Sequence, residues 1–293
     1  MVATASKETH RSNWLPPLRS FVTPPPEQPD RYTHGHHESV LRSHLWRTAE
    51  NSAGFLLPHL VGNEQLLDVG CGPGTISADF TKYLPNGSVT ALDRSPDIID
   101  RARSTYPLAT YPNLEFSVGD AYQLDFDDSQ FDVVYAHQVL QHLTDPVAAL
   151  KEMRRVTKPG GLIALRESDY GTFAWWPQDP WLTRWLELYY EVTRANNAQA
   201  DAGRELRSWA QAAGCSAITM TSSTWTYADE ESVTWWGELW AARALQSDFA
   251  TQALSEGLST ESELEAISNA FLDWSRASDA TFILVHGEIL ARP

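Results

Sequence analysis

Leu66-Leu67-Asp68-Val69-Gly70-Cys71-Gly72-Pro73-Gly74-Thr75-Ile76 is the stretch on which the reading of this 293-residue chain turns. A short apolar run of strand type carries an acid, Asp68, and leads into Gly70, Gly72 and Gly74, each one residue from the next. An apolar helical pattern then runs through Phe80 and Leu84. A strand, a tight glycine turn and a helix let a nucleotide-like ligand lie against bare backbone, because glycine reaches positive φ and carries no Cβ. The spacing separates two classes of ligand. A dinucleotide fingerprint needs Gly-x-Gly-x-x-Gly/Ala, and counted from Gly70 the sixth position is Thr75. The pattern here is Gly-x-Gly-x-Gly, which opposes a nicotinamide oxidoreductase.

Outward from that turn the chain alternates strand and helix. Asn86-Gly87 turns into a strand over 88–92 that ends at Asp93. An acid at this strand tip can accept both hydroxyl protons of a ribose in a fork. Capping of the next helix is already met by Ser95, with Pro96 in its first turn. Helix 96–105 and a loop lead to strand 114–118, which delivers Gly119-Asp120-Ala121. Strand 131–136 delivers His137 and Gln138, and Asp145-Pro146 opens a helix over 145–157. Lys158-Pro159-Gly160-Gly161 stops that helix before strand 162–165. Such repeats argue for a mostly parallel sheet with its binding crevice at the carboxyl ends of the strands. Gly70–Gly74, Asp93, Asp120 and His137 all fall there.

Together these residues resemble motif I and its sequels in class I S-adenosylmethionine-dependent methyltransferases, with the nearest likeness to the ubiquinone/menaquinone C-methyltransferase branch. The resemblance implies a Rossmann-like α/β fold: a seven-stranded, mostly parallel sheet with an antiparallel edge strand and helical inserts after strands 5 and 6. It implies S-adenosyl-L-methionine as cofactor, held by Asp68, Gly70, Cys71, Gly72 and Gly74 in the turn and by Asp93 and Arg94 after strand 2. Asp120 and the Ala121 amide are then adenine contacts, and His137 and Gln138 flank the sulfonium. An N-terminal lid would bring Tyr32 and Arg47 to the methionine carboxylate. The likeness covers roughly residues 60–170 well, 171–293 by strand count alone, and 1–30 not at all.

Residues 1–30 are polar and Pro-rich and read as a flexible arm. Residues 31–293 read as one domain, with a lid helix within 31–60, a cofactor half at 61–170 and a Trp-rich substrate half at 171–293. The lid helix is expected from about His37 to Leu60, with Val40, Leu41, Leu45, Trp46, Ala49 and Ala53 on one face and with Gly54 and Pro58 as points where it can break. His34, His36 and His37 sit too close together for an ordinary helical ligand pair, and no Cys or acid cluster completes a set, so no metal is expected.

Ten of the twelve tryptophans lie beyond residue 170. Trp181, Trp185, Leu188 and Val192 mark a helix over about 180–195, and residues 203–209 lead another that Gly214 closes. Residues 216–227 read as strand 6. Leu264, Ile267, Phe271 and Trp274 mark a last helix, and residues 281–290 form the antiparallel strand. Trp175, Trp176, Trp235 and Trp236 follow a helical period least well. Their two readings are plain core and the walls of an apolar acceptor pocket.

Charge narrows the partners. Net charge is −16, a field that repels phosphate backbones but tolerates a cationic sulfonium, so a small-molecule acceptor is expected and a nucleic acid is not. Two cysteines cannot form a secreted-type disulfide framework, which points to a reducing, cytoplasmic setting. No apolar run approaches about 18 residues, so no membrane span is expected. Methyl transfer from a sulfonium chiefly needs alignment and exclusion of water. An O- or N-acceptor can also need a base, for which His137, His142, Asp169 and Tyr170 stand at or near strand tips. A protein acceptor, or a cofactor-binding protein without methyl transfer, are the alternatives; oligomeric state is not legible.

Overall fold

Strand alternation builds the centre of the molecule, which a computed structural model describes over residues 30–33 and 43–293. The Pro-rich stretch 1–29 lies outside the described residues, as do His34, His36, His37, Val40 and Leu41. In β1 (Gln65–Val69), Leu67 and Val69 enter one apolar cluster while Leu66 enters another. β4 (Phe131–His137) and β5 (Thr157–Ser168) divide in the same way, with Val134 and Ile163 on one face and Tyr135 and Ala164 on the other. Side chains alternate with period two, so a sheet covered on both faces reads as continuous apolar runs.

β2 (Ser88–Asp93) and β3 (Leu114–Val118) extend the sheet from β1, and all these pairings are parallel. β8 (Thr281–Arg292) runs antiparallel to β5 and to β7 (Ser216–Tyr227), the outermost strand. The long strands thus follow the order β3-β2-β1-β4-β5-β8-β7, with the antiparallel strand at the far end, one in from β7. The expected seven-stranded, mostly parallel sheet is present. A short eighth strand, β6 (Ala174–Trp176), continues the line of β5 along β8.

One face is covered by α4 (Pro146–Val156) and α6 (Ala202–Ala212), through Leu150, Met153, Leu206 and Trp209. The other takes α1 (Ala49–Ala53), α2 (Thr75–Phe80) and α3 (Pro96–Thr105), through Ala53, Phe80 and Ile99. A third cluster gathers α5 (Pro180–Ala195), α7 (Glu230–Gln246), α8 (Asp248–Ser255) and α9 (Glu261–Trp274) around the tip of β8. Aromatic rings fill it, with Trp185 edge-on to Trp240 at 4.5 Å and to Phe271 at 5.2 Å.

Several expectations are corrected. The lid helix does not run unbroken to Leu60. Arg47 and Thr48 interrupt it, and Thr48 adopts extended backbone to cap α1 with its side chain. Ala49 and Ala53 are buried as expected, but Leu45 and Trp46 are exposed. The helix after the glycine turn ends at Phe80 rather than Leu84. β5 starts at Thr157, with Lys158–Gly161 taken up in a shift of register against β4. Trp235 and Trp236 are helical after all: they lie inside α7, whose buried face includes Gly237 and Arg243 and whose exposed face includes Leu245, which blurs the apolar stripe.

Candidate functional site

At the carboxyl ends of β1 to β4 lies a cleft of about 350 Å³. The glycine turn forms its floor. Gly70, Gly72 and Gly74 have φ of 74°, 54° and 82°, values that favour glycine. A Cβ on Gly74 would stand 2.6 Å from the Phe116 ring, whereas one on Gly72 would meet nothing nearer than 3.7 Å and would project into open space. Gly72 therefore leaves bare backbone against the cleft. Its N–H donates to Asp93 Oδ2 at 3.1 Å, and Ser95 N–H donates to Asp93 Oδ1 at 3.0 Å. Ser95 caps α3 through Ile98, so Asp93 is not spent on that helix.

Asp68 lines the same floor but is buried, and its Oδ2 accepts from Ser77 Oγ at 2.6 Å. Burial pushes its carboxyl up to about 7, the Ser77 bond pulling the other way. Cys71 lines the cleft too, with a thiol raised by burial and so poor in thiolate. Arg94 donates to the Asp30 carbonyl at 3.1 Å, tying the N-terminal segment across the opening. Asp120 accepts from Tyr122 N–H at 2.9 Å, with Ala121 beside it in the lining.

The N-terminal segment closes the top. Tyr32 meets His44 Nε2 at 3.3 Å and sets its ring edge-on to His142 at 4.7 Å. Thr75 Oγ1 donates to the His44 carbonyl at 3.0 Å. Arg47 donates to Gln138 Oε1, and Gln138 in turn donates to Ser168 Oγ at 2.7 Å. Gln138 holds φ at 55°, left-handed for a non-glycine residue. Behind the turn, the buried Glu167 carboxylate accepts from Val139 N–H at 2.9 Å and Leu140 N–H at 2.8 Å. Sequence reasoning missed Glu167 because nothing local marks its target 27 residues away.

His137 is buried in the cleft wall, and neither ring nitrogen has a hydrogen-bond partner among the described residues. Burial and then the charges of Arg47 and Arg166 hold its pKa well below the usual histidine range. Burial and Arg47 likewise hold His142 at about 3, so both rings are neutral near pH 7.

A narrower slot of about 30 Å³ adjoins the cleft, and Tyr32, His44, Arg47, Gln138 and His142 line both spaces. Trp235 and Trp236 are among its walls, as the sequence suggested. Trp175 and Trp176 are not. Trp175 packs parallel to Phe282 at 5.9 Å within the aromatic cluster, and Trp176, 55% exposed, donates to Asp279. β6 pairing carries both away from the site. Tyr170 lines the slot but is stacked on Tyr189 at 3.9 Å. Asp169 is removed from the candidate bases: it is buried and bonded to Arg204, and lines neither space. Trp225 and Tyr227, which sequence reasoning overlooked, are slot walls; their spacing of two on a strand was the available signal.

The described residues contain no group of three His, Cys, Asp or Glu side chains arranged to hold a metal ion, and no helix long and apolar enough to cross a membrane.

A sheet of this order, with a glycine turn after its first strand and acids on the tips of the next two, defines a class I, Rossmann-like methyltransferase fold. The chain belongs to the methyltransferase family. A methyltransferase-domain profile matches residues 67–165. An uncharacterized methyltransferase of Schizosaccharomyces pombe is 34% identical over 268 residues, covering 88% of this chain and 95% of that protein. A probable methyltransferase of Aspergillus luteorubrus is 28% identical over 281 residues, covering 90% and 98%. The demethylmenaquinone methyltransferase of Staphylococcus aureus matches only 36% of this chain and 44% of its own length, at 36% identity. Among solved structures, the YcgJ protein of Bacillus subtilis gives a TM-score of 0.55 at 18% identity, covering 83% of this chain and 99% of that one. The chain is a S-adenosylmethionine-dependent methyltransferase, and S-adenosylmethionine is its cofactor.

Proposed function

We propose that this enzyme methylates a small molecule, with the donor in the cleft and the acceptor in the aromatic slot beside it. The observation that carries the reading is that junction: the two spaces share Tyr32, His44, Arg47, Gln138 and His142, where a methyl group would pass. S-adenosylmethionine supplies an activated methyl group; alignment and exclusion of water fall to the chain.

The residues present fit that cofactor. Gly72 leaves its backbone bare at the cleft, and its amide with the Asp93 carboxylate forms a corner suited to a ribose. Asp120 and Ala121 suit the adenine edge. Arg47, with Tyr32, suits the methionine carboxylate, and Arg94 holds the segment that carries Tyr32. His137 and Gln138 suit the sulfonium side, because neutral rings there add no positive charge against it. Asp68 and Cys71 act by shaping the turn. His142, His137 and Tyr170 serve as positioning groups rather than strong bases, since burial favours their neutral forms. The likeness to the ubiquinone/menaquinone branch rests on a partial match and does not choose the acceptor. The free thiols of Cys71 and Cys215 support a cytoplasmic setting.

Asp93→Ala tests the donor site. It is expected to weaken S-adenosylhomocysteine binding at least tenfold by calorimetry. It also removes an acceptor from two backbone N–H groups, lowering stability by about 1–2 kcal/mol. Unaltered affinity would refute the ribose assignment. Incubating the enzyme with methyl-labelled donor and a metabolite pool then reports which product gains label.

A further inference from the structure

The slot that adjoins the cleft is walled by aromatic rings drawn from three separate parts of the chain. Trp46 stands edge-on to Trp225 at 5.1 Å and tilted to Trp235 at 5.9 Å. Tyr227 stacks on Trp236 at 4.5 Å. Rings so placed suit a planar guest, and an aromatic box by itself would also suit a cationic amine. The polar groups decide between them.

Among the described residues no carboxylate lines the slot, although the chain as a whole carries −16. The amide oxygen of Gln138 is already taken by Arg47. The hydroxyls and imidazoles of the lining can both donate and accept, so the donor-only groups decide. The indole N–H of Trp236, a residue only 4% exposed, has no hydrogen-bond partner among the described residues, and neither has Arg47 Nε. Tyr32, Tyr135, Tyr227 and Tyr170 lead the groups that bear electrostatically on Arg47; the Glu167 carboxyl also feels its charge but does not line the slot. A buried donor left unpaired costs free energy, so a guest that supplies an acceptor is selected over one that supplies another donor.

We infer that the slot recognises a planar aromatic acid, a phenol or aromatic carboxylate that enters as its anion, and that Trp236 Nε1–H and Arg47 Nε–H donate to its oxygen, the other guanidinium nitrogens being left to Gln138 and the donor's carboxylate. This rests on the donor and acceptor assignment proposed above. An acceptor that arrives ionised has no proton to lose, which agrees with a slot whose histidine His142 is held neutral and whose lining offers no carboxylate base. The free volume of about 30 Å³ is too small for a ring, so uptake displaces a wall. Trp46 is the most exposed of the aromatic walls, at 40%, although it packs against Trp225, Tyr227 and Trp235.

The test uses the full chain saturated with S-adenosylhomocysteine, with 4-hydroxybenzoate and benzylamine as paired probes, read by tryptophan fluorescence and calorimetry. Saturable uptake of 4-hydroxybenzoate, at least tenfold tighter than benzylamine, is the expected result. Trp236→Phe keeps a ring and removes the donor; it should weaken the acid at least fivefold while S-adenosylhomocysteine affinity stays within twofold. Benzylamine binding as tightly as the acid, no uptake of either probe, or an acid affinity untouched by Trp236→Phe would each overturn the inference while leaving the donor site standing. Failure to bind S-adenosylhomocysteine would bring down the donor assignment and this inference together. The comparison of probes on the unaltered protein decides the matter even if the variant does not fold.

Discussion

Asp68 carries opposing demands at one position. Its backbone lies one residue before the end of the first strand, beneath the glycine turn, and its carboxyl lies in a buried space beside the Ser77 hydroxyl. An unfolded chain gives up this proton near an ordinary aspartate pKa of about 4, while the folded protein retains it to about 7. The folded state therefore binds more protons between those limits, and rising pH withdraws stability across that window. Asp68→Asn keeps a partner for Ser77 and abolishes the titration. Urea midpoints measured from about pH 4 to pH 7 should fall less steeply for the variant than for the parent protein. Identical slopes would show that Asp68 ionises freely in the fold. Glu167, pushed up to about 8 by burial, acts in the same direction and is untouched by the substitution.

At the scale of elements, glycines set how closely layers approach. α6 lies directly on β8, where Gly203 meets Gly287: a Cβ on Gly287 would stand 2.1 Å from the Gly203 carbonyl oxygen. Backbone cannot yield as a side-chain tip can, so Gly287→Ala must push the helix off the sheet. Overpacking of this kind costs about 2–3 kcal/mol, and the thermal midpoint should drop by roughly 5–10 °C. An unchanged midpoint would mean that the contact is loose. The same scale shows which elements could be read in advance. α5 and β3 occupy the residues their patterns announce, because one face of each differs from the other or an apolar run is bounded by turns. α7 could not be read so. Its buried residues share one face, but that face carries Gly237 and Arg243 while the exposed face carries Leu245, so polarity does not follow burial.

Across the whole molecule, the site is closed by residues remote in sequence. Tyr32 and Arg47 reach over the strand ends to Gln138 and His142, and Asp30 accepts from Thr144 N–H at 2.8 Å. Removal of residues 1–29 is expected to leave S-adenosylhomocysteine affinity within twofold. Removal of residues 1–48 should weaken it at least tenfold by calorimetry, and equal affinities would dispose of the lid. The sequence alone determined the floor of the cleft: the glycine turn, Asp93 and Asp120 stand at fixed offsets from their strands, and such offsets express φ/ψ and hydrogen-bond rules that act over a few residues. Only the tertiary structure decided the aromatic slot beside it. Arg47, Trp225 and Trp236 come together through sheet pairing and helix packing across nearly 200 residues, and no local spacing records which rings will meet.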